Sequence, residues 1–157
     1  YEQDGHLPKD YPITVEDLDG CCQAQNVAIR SGDALCLRTG WVPYWYTLKT
    51  AEEKEAYFHA QPGMSVSTAE WVYQKEISCI AVDNIAVERL PSEIDGEFIP
   101  FHQVAIRDIG LTLGEIFTFE ELAKDCAADG VYEFLWAAPP LNIPNAVGSP
   151  LNPLAIK

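Results

Sequence analysis

The chain has 157 residues, one domain's worth, and is 48% hydrophobic and 22% charged, which is the balance of a globular unit with its own core and excludes a disordered acidic tail. With 24 acidic and 10 basic side chains the net charge is −14, so nucleic-acid binding and a basic membrane patch are both excluded as expectations. No apolar run approaches the ~20 residues that span a bilayer.

Residues 1–12 are polar, carry Gly5, Pro8 and Pro12, and read as a loop or arm. Thr14 followed by Asp17 makes a weak capping box with Ile13 as staple, and Val15, Leu18 and Cys22 recur at helical spacing, which predicts a helix over about residues 15–26. After the turn Ser31-Gly32-Asp33, residues 34–37 read as a buried strand entering the loop Arg38-Thr39-Gly40. Residues 41–46 gather Trp41, Tyr44, Trp45 and Tyr46 around Pro43; residues 51–60 are good helix formers, and Pro62-Gly63 interrupts the chain. Ser67 with Glu70 predicts a capped helix near 67–76, followed by a strand over 77–82. Residues 84–100 read as loop, 101–109 as a helix stopped by Gly110, and 112–116 as a short strand. Thr118 with Glu121 predicts a third capped helix, reaching about Ala127, and 132–138 a strand. The proline-rich stretch that follows runs extended over a surface, and 154–157 suits an edge strand. Helices alternating with apolar strands place the chain in the α/β class.

Candidate chemistry is sparse. The sequence holds neither a G-x-G-x-x-G nor a Walker-type loop, so no nucleotide cofactor is indicated. Gly63-Met64-Ser65-Val66-Ser67 approaches a nucleophile elbow but ends on serine, and Ser65 or Ser67 is better suited to cap a helix. His6 falls in the polar arm and is expected to be solvated, and His59 to lie at a helix C-terminus. His102 opens an apolar helix, and Glu115 follows among Leu113, Ile116 and Phe117, where a carboxylate is costly to bury unless paired or bound to a cation. Histidine with glutamate suits zinc or manganese; a capping histidine and a hydrogen-bonded glutamate are the alternative. A catalytic ion takes about three protein ligands. Asp83, at the end of the strand 77–82, is a third candidate, with a turn or capping role equally open. Trp41, Tyr44 and Trp45 suit either a wall for a flat aromatic substrate or ordinary core. The five cysteines lack disulfide or zinc spacing and are expected to be reduced thiols of a cytoplasmic protein. The chain opens on Tyr1 and its single methionine is Met64, so a fragment or processed chain is expected.

Five ordered blocks across residues 31–156 carry a family resemblance. Ser31-Gly32-Asp33-Ala34-Leu35-Cys36-Leu37-Arg38-Thr39-Gly40-Trp41 resembles the GD-x-L-L-x-R-T-G-W segment of the cyclase-like metal-dependent hydrolases, which include bacterial kynurenine formamidase and isatin hydrolase. Pro62-Gly63-Met64-Ser65 with Ala69-Glu70-Trp71 resembles the family's P-G helix start, and Ile80-Ala81-Val82-Asp83-Asn84 its x-G-x-D strand end, with alanine where glycine is usual. His102, Ile109-Gly110-Leu111 and Glu115 resemble an H-x-x-L-L…G-I…E block, and Gly148-Ser149-Pro150 with Pro153-Leu154-Ala155-Ile156 the closing G-S-P-x-x-P-x-A.

The resemblance implies an α/β fold of the swivelling β/β/α type, with residues 1–157 as the C-terminal part of a single cyclase-like domain. It implies hydrolysis of a small-molecule amide, lactam or formamide, and a divalent metal, zinc or manganese, bound by His102 and Glu115. The interval between those two is about one residue longer here than in the small formamidases. The family's further ligands and catalytic histidine come from an upstream H-x-G-T-H-x-D-x-x-x-H motif that this sequence lacks, so a missing N-terminal half is expected to complete the site. Homo-oligomerisation is also implied. The rival expectation is a catalytically inactive binding or assembly module that retains the fold.

Overall fold

Residues 5–157 are described by the structure, a computed structural model; residues 1–4 of the expected arm lie outside the described residues. The capping box at Thr14 forms: its hydroxyl accepts the Asp17 N–H, and the Asp17 carboxylate accepts the Thr14 N–H at 2.9 Å. A short strand β1 (Pro12–Ile13) therefore leads directly into helix α1 (Val15–Gln25), which ends on a left-handed Asn26. Strand β2 (Ala34–Leu37) occupies the apolar run. The aromatic segment coils into α2 (Trp41–Thr47), and Thr50 with Glu53 caps α3 (Ala51–Tyr57) by a box the sequence reading passed over. Next come β3 (Gly63–Met64), a single 3-10 turn over Val66–Thr68, and α4 (Ala69–Gln74). Here the cap is Ser65, which accepts the Ser67 N–H at 3.2 Å; Glu70 instead accepts from the Gln74 amide, so the box expected at Ser67 does not form.

Strand β4 (Cys79–Val82) is shorter than the expected 77–82 because the Ile77 N–H still closes the preceding helix on the Val72 carbonyl. Helix α5 (Pro100–His102) has its proline in the first turn, where no N–H is needed, and continues as a π-helical stretch, Gln103–Ile109, closed by a left-handed Gly110. Strand β5 (Thr112–Gly114), α6 (Glu120–Asp129), β6 (Leu135–Ala137) and β7 (Leu154–Ile156) complete the described elements. α6 starts after Phe119 without a side-chain cap, so the Thr118 box does not form either.

Strand β4 lies in the middle of a parallel sheet in the order β2-β4-β5, with Ile80 opposite Leu35 on one side and Leu113 on the other. Both of its faces are covered. Ile80 and Val82 join a core with Met64, Val72 and Phe101, while Ala81 packs with Phe117 and Phe119. That is why the strand reads as a continuous apolar run. β1 pairs in parallel with β3, and β7 pairs antiparallel with β6, as an edge strand at 154–157 requires. Between β6 and β7 the proline-rich stretch walls, with residues 112–118, an open groove of about 920 Å³.

The described part of the arm is docked. Leu7 N–H donates to the Thr39 carbonyl at 2.8 Å. Gly40 has φ of 79°, and a Cβ there would lie 2.2 Å from the Gly5 carbonyl oxygen, so only glycine fits both the backbone and the contact. A second close approach sits at β3: a Cβ on Gly63 would lie 2.3 Å from the carbonyl carbon of Glu88. Met64 N–H donates to the Val87 carbonyl at 2.9 Å, and Arg89 N–H to the Met64 carbonyl at 3.1 Å. The segment around Glu88 is thereby laid along β3 and held beneath α5.

Candidate functional site

His102 and Glu115 meet. His102 belongs to the first turn of α5, and Glu115 directly follows β5, at the C-terminal edge of the parallel sheet where sites of α/β proteins gather. His102 Nε2 lies 3.2 Å from Glu115 Oε1. On the other side of the ring, Nδ1 lies 2.7 Å from Glu88 Oε1, a residue the sequence reading did not single out. Glu88 is buried, and its carboxylate also accepts the His102 N–H and the Phe101 N–H, each at 2.9 Å. It thus caps α5 from 13 and 14 positions away along the chain. Burial alone would push the His102 ring down, but hydrogen bonds and charge from Glu115 and Glu88 outweigh it and raise the ring to about 9. Glu115 itself is not buried, despite its apolar neighbours in sequence. Its side chain is 35% exposed, and Ile116 is exposed too.

Both carboxylates sit beside unusual backbone. Val87 has φ of 53° and Ile116 φ of 61°. Left-handed conformation in a β-branched residue is an outlier that costs ~1–3 kcal/mol and persists only where surrounding contacts hold it. At Val87 those contacts are explicit: its carbonyl accepts from Met64 N–H and from Asn84 Nδ2, and its side chain is fully buried.

Asp83 is placed differently from a ligand. It is fully buried, and its Oδ1 accepts the Thr39 N–H at 2.6 Å and the Thr39 hydroxyl at 2.7 Å, while Oδ2 accepts the Gly40 N–H at 2.7 Å. These three bonds organise the loop after β2, so the turn role is the one realised. Burial pushes its carboxyl up, and the bonds from Thr39 and Gly40 pull it back.

Trp41 is completely buried, stacked on Tyr57 at 5.0 Å between ring centroids, and has no face left for a ligand. Tyr44 and Trp45 pack half-buried around it. His6 is not a solvated arm residue, since its ring lies 4.3 Å from Tyr44 and edges onto Trp41. His59 is exposed just beyond α3. All five cysteines are free; burial, with Cys79 nearby, pushes the Cys36 thiol up to about 12.

Among the described residues no group of three His, Cys, Asp or Glu side chains converges to hold an ion. His102 and Glu115 offer two donors of suitable chemistry, an imidazole nitrogen and a carboxylate oxygen, on one locus, with the second ring nitrogen held by a carboxylate as metal-bound histidines require. The donors present therefore fit part of a ligand set.

The family pattern described as "Putative cyclase" matches residues 2–89, more than half of the sequence. The chain belongs to the Cyclase family. A solved structure described as a novel cyclase superposes with a TM-score of 0.89 at 44% identity, covering 99% of this chain and 50% of that one. Isatin hydrolase A from Ralstonia solanacearum superposes with a TM-score of 0.71 at 21% identity, over 95% of this chain and 54% of that one. A structure described as a potential metal-dependent hydrolase with cyclase activity gives 0.61 at 17% identity, over 93% and 58%. The latter two share the fold with this Cyclase-family chain. It spans about half the length of the solved relatives it matches. No curated protein matches it. No helix of the described residues is long and apolar enough to cross a membrane.

Proposed function

We propose that this chain is the part of a metal-dependent hydrolase that supplies His102 and Glu115 to a divalent ion, zinc or manganese, for cleavage of a small-molecule amide, lactam or formamide C–N bond. The observation that carries the reading is the convergence of His102 Nε2 and Glu115 Oε1 at 3.2 Å, at the C-terminal edge of the sheet, with Glu88 on the far side of the ring. An ion held there supplies Lewis acidity and lowers the pKa of bound water. The chain's own residues orient and hold. α5 and the end of β5 position the two donors, Glu88 turns the imidazole, and the one-third-exposed Glu115 keeps the locus open to solvent and substrate. The remaining ligands, and the histidine that would move protons, belong to an N-terminal half in this reading. The complete protein is proposed to work as a cytoplasmic homo-oligomer.

The test is His102→Ala and Glu115→Ala in the complete protein. Each is expected to lose bound metal and metal-dependent turnover of lactam and formamide substrates. Unchanged metal content and turnover would refute the assignment. A second reading, an inactive binding or assembly module, is favoured by one feature: both ring nitrogens of His102 already have carboxylate partners within the chain, as in a purely structural ion pair. Metal analysis of the purified complete protein separates the two.

A further inference from the structure

We propose that Glu88 is the positioning residue of this site: by accepting a hydrogen bond from His102 Nδ1–H it holds the neutral ring in the tautomer whose bare Nε2 is aimed at the locus it shares with Glu115. The inference rests on the metal reading for its purpose, but its structural content stands alone.

Two carboxylates compete for the protons of one imidazole. Glu88 Oε1 is the nearer, at 2.7 Å against 3.2 Å for Glu115 Oε1. Glu88 is also the fixed partner. It is buried, its Oε1 is pinned by the His102 N–H and its Oε2 by the Phe101 N–H, whereas Glu115 is one-third exposed. In a neutral ring the shorter bond to an immobile carboxylate keeps the proton on the nitrogen that faces it, so the Nδ1–H form is selected and Nε2 keeps its lone pair.

The backbone around Glu88 is built to deliver it. Val87, in left-handed conformation, turns the chain just before it. The Glu88 carbonyl accepts from the buried Gln61 amide at 2.7 Å, and Gly63 leaves room for that same carbonyl group. An N-terminal cap alone needs no such arrangement, since a serine, threonine or aspartate next to the helix would do. The extra element is the bond to the ring, which a distant, buried glutamate reaches and a local cap does not. Ile116, also left-handed, marks the same feature on the other carboxylate: the chain turns immediately beside each group that faces His102.

The experiment reads the ring directly. In the metal-free 157-residue chain, the ¹⁵N shifts of His102, recorded above pH 10 so that the ring is neutral, are expected to show the proton on Nδ1. Glu88→Gln keeps the size of the side chain but offers one oxygen to three donors. Glu115 is then left as the only carboxylate on the ring, and the proton is expected to move to Nε2. In the complete protein, Co²⁺ affinity is expected to fall about 10–100-fold in Glu88→Gln. A wild-type ring protonated on Nε2 overturns the proposal and needs no variant. So does a folded Glu88→Gln that keeps both the wild-type tautomer and the wild-type Co²⁺ affinity. If wild type binds no Co²⁺ at all, the metal reading fails, while the tautomer measurement still decides the role of Glu88.

Discussion

Asp83→Ala is the sharpest test of the claim that this carboxylate builds the loop after β2 and ligates nothing. The side chain is fully buried and accepts the backbone N–H groups of Thr39 and Gly40 at 2.6 and 2.7 Å. Removing it strands both donors at a buried site, at ~1–3 kcal/mol each. The Thr39 hydroxyl, which donates to the same carboxylate, loses a partner as well. The expected loss is about 4 kcal/mol, a large share of the ~5–15 kcal/mol that holds an ordinary domain together. Asp83→Asn keeps one acceptor oxygen and turns an amide N–H₂ against one backbone donor, so roughly half that loss is expected. Equilibrium urea unfolding of the chain reads both values, with the denaturant slope unchanged if only native contacts are lost. A loss below about 1 kcal/mol in Asp83→Ala would refute the reasoning, as would Co²⁺ affinity that falls in Asp83→Asn while stability stays level.

Three further perturbations follow from the same geometry. His102 is raised to about 9 from 6.5, so the folded state holds its proton more tightly than the unfolded state does. The stabilisation is fully present below 6.5 and is lost as pH rises through about 9, so the metal-free chain is expected to lose up to ~3 kcal/mol over that window, measured by urea unfolding at a series of pH values. A flat profile would contradict it, and Glu115→Gln is expected to narrow the window. Gly40→Ala is expected to destabilise far more than Gly32→Ala, because both glycines have positive φ but only Gly40 has backbone within 3 Å of the new Cβ. Equal melting shifts would show that residues 5–7 do not dock there. Phe101→Ala removes a fully buried ring between β4 and α5 and is expected to cost ~3–5 kcal/mol by urea unfolding. A cost under half of that would mean the helix bearing His102 is not seated on the sheet as described.

Much of the fold was legible along the chain because local rules govern it. The Thr14–Asp17 box, the apolar run 34–37, the stop at Gly110 and the edge strand at 154–157 each depend on a few neighbouring residues. The failures are of one kind. Ser67–Glu70 and Thr118–Glu121 have the spacing of a capping box, but the backbone enters each helix one or two positions away from the site the box requires. At the site, His102 and Glu115 were named from residue type and block order, and the structure brings them within hydrogen-bond reach.

Glu88 had no signal to find. It caps a helix 12 residues further on, across a loop with no period, and ordinary caps lie next to the turn they serve. Asp83 and Glu88 are both buried carboxylates on the same side of the chain's central strand in sequence, and composition cannot tell them apart. One ends up facing two backbone amides and a hydroxyl, the other an imidazole. The sequence by itself revealed most of the helices and strands and the family, and pointed to His102 and Glu115, because periodicity, turn chemistry and motif order are written locally. Only the tertiary structure decided which carboxylate turns the histidine and which merely ties a loop, because that depends on how β3, β4 and α5 stack, and hence on which donors lie within 3 Å of each oxygen.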